Sequence, residues 1–142
     1  KNRIAKITNF RNIKGRLENV VKESDVLIGV SGISNILTIN LVKKMNKNAI
    51  VFALSNPNPE INPDVALKAG AKIVATGISN YKNQVNNAII FPFIMRKILD
   101  GKIKKIDEKF LYNFSLLVAK KVKKLSYENI VPSLFDMNYS NK

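Results

Sequence analysis

The chain has 142 residues, 46% of them hydrophobic, and carries 24 Lys+Arg against 10 Asp+Glu for a net charge of +14. That length fits one domain or a piece of one, and the apolar content argues against wholesale disorder. Without Cys or His there is no disulfide framework, no thiolate nucleophile, no Cys-ligated zinc and no imidazole base. No apolar run approaches the ~18 residues that read as a membrane span.

The charge resembles the footprint of a nucleic-acid binder, but its composition argues otherwise. Asn and Ile are abundant alongside Lys, and these three share A/T-rich codons. Arg, which reads phosphate and guanine in a bidentate way, stands only at 3, 11, 16 and 96. The lysines are scattered apart from Lys102-Lys104-Lys105 and Lys120-Lys121-Lys123-Lys124. Solvated lysine faces are the expectation, with no nucleic-acid and no membrane partner.

In chain order, Lys1-Asn2-Arg3 lacks an initiator Met and leads into no apolar signal core, so it reads like the middle of something longer. Helices are expected over 1–8 and 16–22, separated at Gly15. Val26-Leu27-Ile28-Gly29-Val30, ending at Ser31-Gly32, fits a strand buried on both faces. Thr38 is placed to cap a helix with Ile39, Leu41, Val42 and Met45 on one face. A second strand, Ala49 to Leu54, stops at Ser55-Asn56-Pro57-Asn58-Pro59, where two prolines forbid regular continuation. Asn62, Pro63, Asp64 and Gly70 punctuate a short helix, and Ala71 to Gly77 is a third strand. Strands alternating with crossover helices imply an α/β fold with a parallel sheet. Beyond Gly77 the chain turns helical, from Val85 to about Asp100 with a kink or split at Pro92, and from Asp107 to Leu125 with Phe110, Phe114, Leu117, Val118 and Val122 on one face.

Open parallel sheets bind ligands outside the carboxyl ends of their strands. Here those ends read Ser31-Gly32, Ser55-Asn56-Pro57 and Thr76-Gly77. They offer close backbone approach and hydrogen bonding without charge, although the same residues are ordinary in turns. Asn83-Gln84-Val85-Asn86-Asn87 is open to two readings. Asn86 and Asn87 either cap a helix start or present amides to a carboxylate or carboxamide; composition alone favours capping.

The motifs and their order resemble malic enzyme, in particular its shorter bacterial form. They are Asp25-Val26-Leu27-Ile28-Gly29-Val30-Ser31, then Phe52-Ala53-Leu54-Ser55-Asn56-Pro57 with Pro59-Glu60, then Asn83-Gln84-Val85-Asn86-Asn87 with Phe91-Pro92, and finally Val131-Pro132-Ser133 with Phe135-Asp136. The resemblance implies a partial Rossmann-like sheet of about three strands followed by C-terminal helices. Residues 1–100 would be the distal half of the dinucleotide-binding domain, and 101–142 a helix and tail packing on it. It further implies oxidative decarboxylation of malate to pyruvate and carbon dioxide, with NAD or NADP and divalent Mg or Mn, in the cytoplasm.

By the same resemblance Ser31 and Gly32 would lie along the dinucleotide, Asn56 would contact the nicotinamide side and the substrate, and Asn86 and Asn87 would hold the malate carboxylate. No catalytic or metal-binding residue is expected in this chain. The family's Tyr/Lys acid–base pair, metal carboxylates and glycine-rich loop lie upstream of the matched region, and Tyr81, Tyr112, Tyr127 and Tyr139 do not match its tyrosine. The expected partners are therefore the missing N-terminal half or further copies in a homo-oligomer, and the strand that should pair with the missing portion should lie exposed. The alternative is an inert dinucleotide-binding or dimer-interaction module. The chain also departs from the family pattern. It has Ile78-Ser79-Asn80-Tyr81-Lys82 for Arg-Ser-Asp-Tyr-Pro, Ile90, Phe93 and Lys97 where glycines are usual, and a loop from Ser31 to Thr38 one residue longer.

Overall fold

A computed structural model describes residues 2–137. Helices α1 (Asn2–Ile7) and α2 (Leu17–Val20) precede strand β1 (Val26–Gly29). Helix α3 (Ile39–Lys43), strand β2 (Ile50–Ala53), helix α4 (Pro63–Lys68) and strand β3 (Ile73–Thr76) follow. The strands pair in parallel in the order β1-β2-β3, with Val26 level with Ile50 and Ile73, and Gly29 level with Ala53 and Thr76. This is the expected α/β architecture of a partial Rossmann-like sheet.

The helices start where the sequence places their caps. Thr38 Oγ1 accepts from the Leu41 amide, Asn62 Oδ1 from those of Asp64 and Val65, and Asp107 Oδ1 from that of Phe110. Each satisfies a donor that the first helical turn leaves without a partner. Gly70 ends α4 with φ +113°, a conformation other residues adopt only under strain.

Because side chains alternate across a strand, the register sorts the sheet into two faces. Val51, Ala53 and Val74 are buried with Val42, Met45, Ala66 and Ala69, and Leu27 packs against that cluster, so α3 and α4 cover one face. The other face is open at β1, where Val26 is 47% and Ile28 63% exposed, and Val30 just beyond is 75% exposed. Burial of β1 on both faces is therefore not observed. It is an edge strand, and among the described residues nothing covers its second face. Ile39 also departs from expectation, being exposed while Val42 of its helix and Met45 just beyond it are buried.

The segment after β3 splits where Pro92 predicts. A single 3-10 turn (Asn87–Ile89) is followed by α5 (Phe91–Leu99), with the proline inside its first turn, where a missing N–H costs nothing. Helix α6 (Glu108–Lys120) is shorter than expected at its C-terminal end, and Leu117, expected on its inner face, is exposed. The bulky residues in place of glycines are accommodated. The Phe93 ring lies 5.3 Å from that of Phe114, and Lys97 Nζ sits 5.3 Å over Phe93.

One buried side chain ties the C-terminal segment to the sheet. Asn83 donates to the carbonyls of Val74 (3.1 Å) and Tyr127 (2.8 Å) and accepts from the Ile130 amide (2.9 Å). Asn83→Ala would strand three polar groups, each worth ~1–3 kcal/mol when left unsatisfied and buried. The expected outcome is a destabilisation of about 2 kcal/mol or more in urea denaturation, with proteolytic cleavage appearing first between 121 and 137.

Candidate functional site

The three strand ends emerge at the carboxyl edge of the sheet, and a single buried side chain joins two of them. Glu60 is 1% exposed. Its Oε1 accepts from the Ser31 amide (2.9 Å), the Ser31 hydroxyl (3.0 Å) and the Ser55 hydroxyl (2.5 Å), and its Oε2 from the Ser55 amide (3.1 Å). Ser55 Oγ in turn accepts from the Gly32 amide at 2.8 Å. Space for the carboxylate exists because residue 29 is glycine, where an added Cβ would lie 2.7 Å from Glu60 Cδ.

Burial alone would push the Glu60 carboxyl up, but hydrogen bonds from Ser55 and Ser31 outweigh it and hold the group at about 2, below its ordinary 4.5. The loops are further joined by Asn35 N–H to Pro59 O (3.2 Å) and Leu37 N–H to Glu60 O (2.9 Å).

The amides of Ser31 and Gly32, and the Ser31 hydroxyl, are thus already engaged with protein acceptors. What this turn offers a ligand is close approach, since Gly32, at φ +73°, has nothing within 4 Å of where a Cβ would stand. Asn56 follows Ser55, is joined to Pro57 by a cis peptide, and is exposed. Asn86 and Asn87 reach the same edge, because Gln84 bridges Thr76 in parallel and Asn86 Nδ2 donates to Gly77 O at 3.2 Å.

Of the two readings of the asparagine pair, capping is observed at one member. Asn86 Oδ1 accepts from the Ala88 amide at 2.9 Å and caps the 3-10 turn, so it holds the local backbone. Asn87 is exposed, and its side-chain amide makes no hydrogen bond to the described residues. The tyrosines behave as core or surface groups, with Tyr81 OH accepting from Asn62 and the Tyr127 ring under Lys72 Nζ at 4.2 Å; Tyr139 lies outside the described residues.

Sequence reasoning treated Glu60 and Asn83 only as parts of their motifs and gave neither a role of its own. An acid wedged between Pro59 and Ile61 is the signal that marked the first. Nothing in the sequence separates Asn83 from Asn86 or Asn87, because all three are amides in one polar run. A cleft of about 840 Å³ lies elsewhere, bounded by α4, Tyr81, Lys82 and the 126–128 segment, and includes none of Ser31, Gly32, Asn56, Asn86 or Asn87. Its two lysines are engaged, Lys82 with Glu128 at 2.5 Å and Lys72 over the Tyr127 ring, and Asp64 is the remaining charge in its lining. The strand-end edge is therefore the better candidate on chemistry.

An open three-stranded parallel sheet with small, uncharged strand ends is the arrangement of a dinucleotide-binding half-domain. Comparison with known proteins agrees. Residues 2–141 match the family model for the malic enzyme NAD binding domain, and the chain belongs to that family. It is 42% identical over 138 residues to the bifunctional malic/malolactic enzyme of Bacillus subtilis, covering 96% of this chain and 33% of that protein. It is 41% identical over 134 residues to the NAD-dependent malic enzyme of Geobacillus stearothermophilus, covering 93% and 28%. Among solved structures, the NAD-dependent malic enzyme of Thermotoga maritima superposes with a TM-score of 0.87 at 42% identity, covering 96% of this chain and 36% of that one. The chain thus spans about a third of the length of these relatives.

With its pKa lowered on folding, Glu60 stabilises the folded state above pH 4.5, and that contribution is lost as pH falls from there toward 2. Urea-denaturation midpoints taken between pH 7 and pH 2.5 should fall below pH 4.5. The fall should be shallower in Glu60→Gln, which has no carboxyl to titrate.

Proposed function

We propose that the chain supplies the cofactor- and substrate-positioning part of a malic enzyme, which oxidatively decarboxylates malate to pyruvate and carbon dioxide with NAD or NADP. The observation that carries this reading is the convergence of Ser31-Gly32, Asn56 and Asn86-Asn87 at the carboxyl edge of one parallel sheet, in a chain that matches the family from end to end.

The dinucleotide, when bound, supplies the hydride acceptor. This chain's part is to bind and orient. Ser31 and Gly32 pass along the dinucleotide through their backbone, the uncrowded Gly32 allowing close approach. Asn56, exposed just past β2, contacts the nicotinamide side and the substrate. Asn87 presents its amide to the malate carboxylate, and Asn86 fixes the turn that aims it. An amide orients an anion without neutralising it, which suits a position where charge is supplied from another source.

The divalent Mg or Mn of the proposed reaction is a different matter. Among the described residues no group of three metal-ligating side chains stands together. The acid–base pair and metal carboxylates belong, on this reading, to the remainder of the enzyme. The bare edge and open face of β1 support the same division of labour, since an unpaired parallel edge flanked by exposed Val26, Ile28 and Val30 is a surface suited to covering. Further copies of the chain are the other candidate cover.

Malate-dependent reduction of NAD or NADP with Mg or Mn should stay at background for this chain alone. Calorimetry should nonetheless detect dinucleotide binding, weakened about tenfold in Asn56→Ala, a loss of about 1.4 kcal/mol. Turnover by the chain alone would sink the assignment of the chemistry to the remainder, and absence of binding to either dinucleotide would sink the positioning role. In a second experiment, a tagged chain should co-purify with the N-terminal two thirds of the Bacillus relative. Ile28→Lys should abolish that association while leaving stability nearly unchanged, and equal recovery of the variant would overturn the surface.

A further inference from the structure

We propose that Glu60 is a positioning residue for the dinucleotide site, locking the loops after β1 and β2 together so that Ser31-Gly32 and Asn56 face one ligand. The inference rests on the dinucleotide reading above and adds a residue that touches neither cofactor nor substrate in that reading.

Four donors converge on one carboxylate, two from Ser31 after β1 and two from Ser55 after β2. No lysine or arginine among the described residues forms an ion pair with it. Its charge is therefore compensated by hydrogen bonds that also connect two loops 29 and 5 residues away in sequence. A carboxylate accepts on both oxygens, whereas a carboxamide accepts on one and donates from the other. A glutamine whose oxygen took the place of Oε1 would set its N–H₂ against the Ser55 amide, directly before Asn56.

The lock extends to the residue expected to approach the cofactor most closely. Ser55 Oγ donates to Glu60 and accepts from the Gly32 amide, forming a chain from Glu60 through Ser55 to Gly32. Gly29 leaves the opening through which the carboxylate reaches both loops. Preorganisation of this kind aids binding because loops already held in place lose less freedom when the ligand arrives.

The test uses the full chain with ¹⁵N NMR and titration of NAD and NADP. In Glu60→Gln the Ser31, Gly32 and Ser55 amide resonances should move while those of α6 remain, and the Kd for dinucleotide should rise tenfold or more. Ser55→Ala, a small change that keeps the Ser55 backbone donor, should move the Gly32 amide and weaken binding. Ser55→Thr, which retains the hydroxyl, should restore both, a rescue that loss of packing alone would not give. Ser55→Ala and Ser55→Thr also decide the matter if Glu60→Gln does not fold.

Unmoved loop amides in Glu60→Gln, or dinucleotide binding within twofold of the unaltered chain, would overturn the proposal. If the unaltered chain binds neither dinucleotide while the loop amides still move in Glu60→Gln, the cofactor reading fails and with it the ligand role of Glu60. The loop lock itself would be upheld.

Discussion

The candidate site depends on a charge held inside the protein by hydrogen bonds alone. Taking a carboxylate out of water is costly unless its lone pairs are used, and Glu60 has four donors to use them. The requirement acts in both directions. Two of the donors are hydroxyls that exist because residues 31 and 55 are serines, and those hydroxyls are held because the acid is there to accept. Gly29 belongs to the same constraint, since any side chain there would occupy the carboxylate's position. A run of residues that resembles ordinary turn sequence is thus a set of mutually dependent parts.

This arrangement divides the polar groups at the sheet edge into those already engaged and those available. Ser31, Ser55 and Asn86 are engaged with protein partners, as is the backbone N–H of Gly32. Asn56 and Asn87 are exposed. Neighbouring residues in one motif are therefore placed differently, some holding the loops in shape and others left open at the sheet edge.

Much of the fold was legible because it rests on local rules. Apolar runs ended by Gly, Ser and Pro marked the three strands, and Thr38, Asn62 and Asp107 announced the helix starts through donors that need partners. The misses have a common cause, which is long-range structure. An apolar run reads the same whether covered on one face or two, so exposure of Val26 and Ile28 could not be seen from composition. Asn83, Asn86 and Asn87 are chemically identical, and only their neighbours in space make one a buried staple, one a cap and one an open amide. Glu60 was hidden for the same reason, its partner Ser31 being 29 residues away.

The half-covered sheet also gives the high lysine content a physical consequence. A face bearing Val26 and Ile28 would draw two copies together through apolar contact, while a net charge of +14 keeps them apart. The balance depends on the medium, because the repulsion is screened over about 8 Å at physiological ionic strength and about 3 Å at 1 M, whereas apolar attraction is not. The chain is thus expected to be most soluble in dilute salt and to self-associate as salt is added, the reverse of a protein whose copies attract through opposite charges.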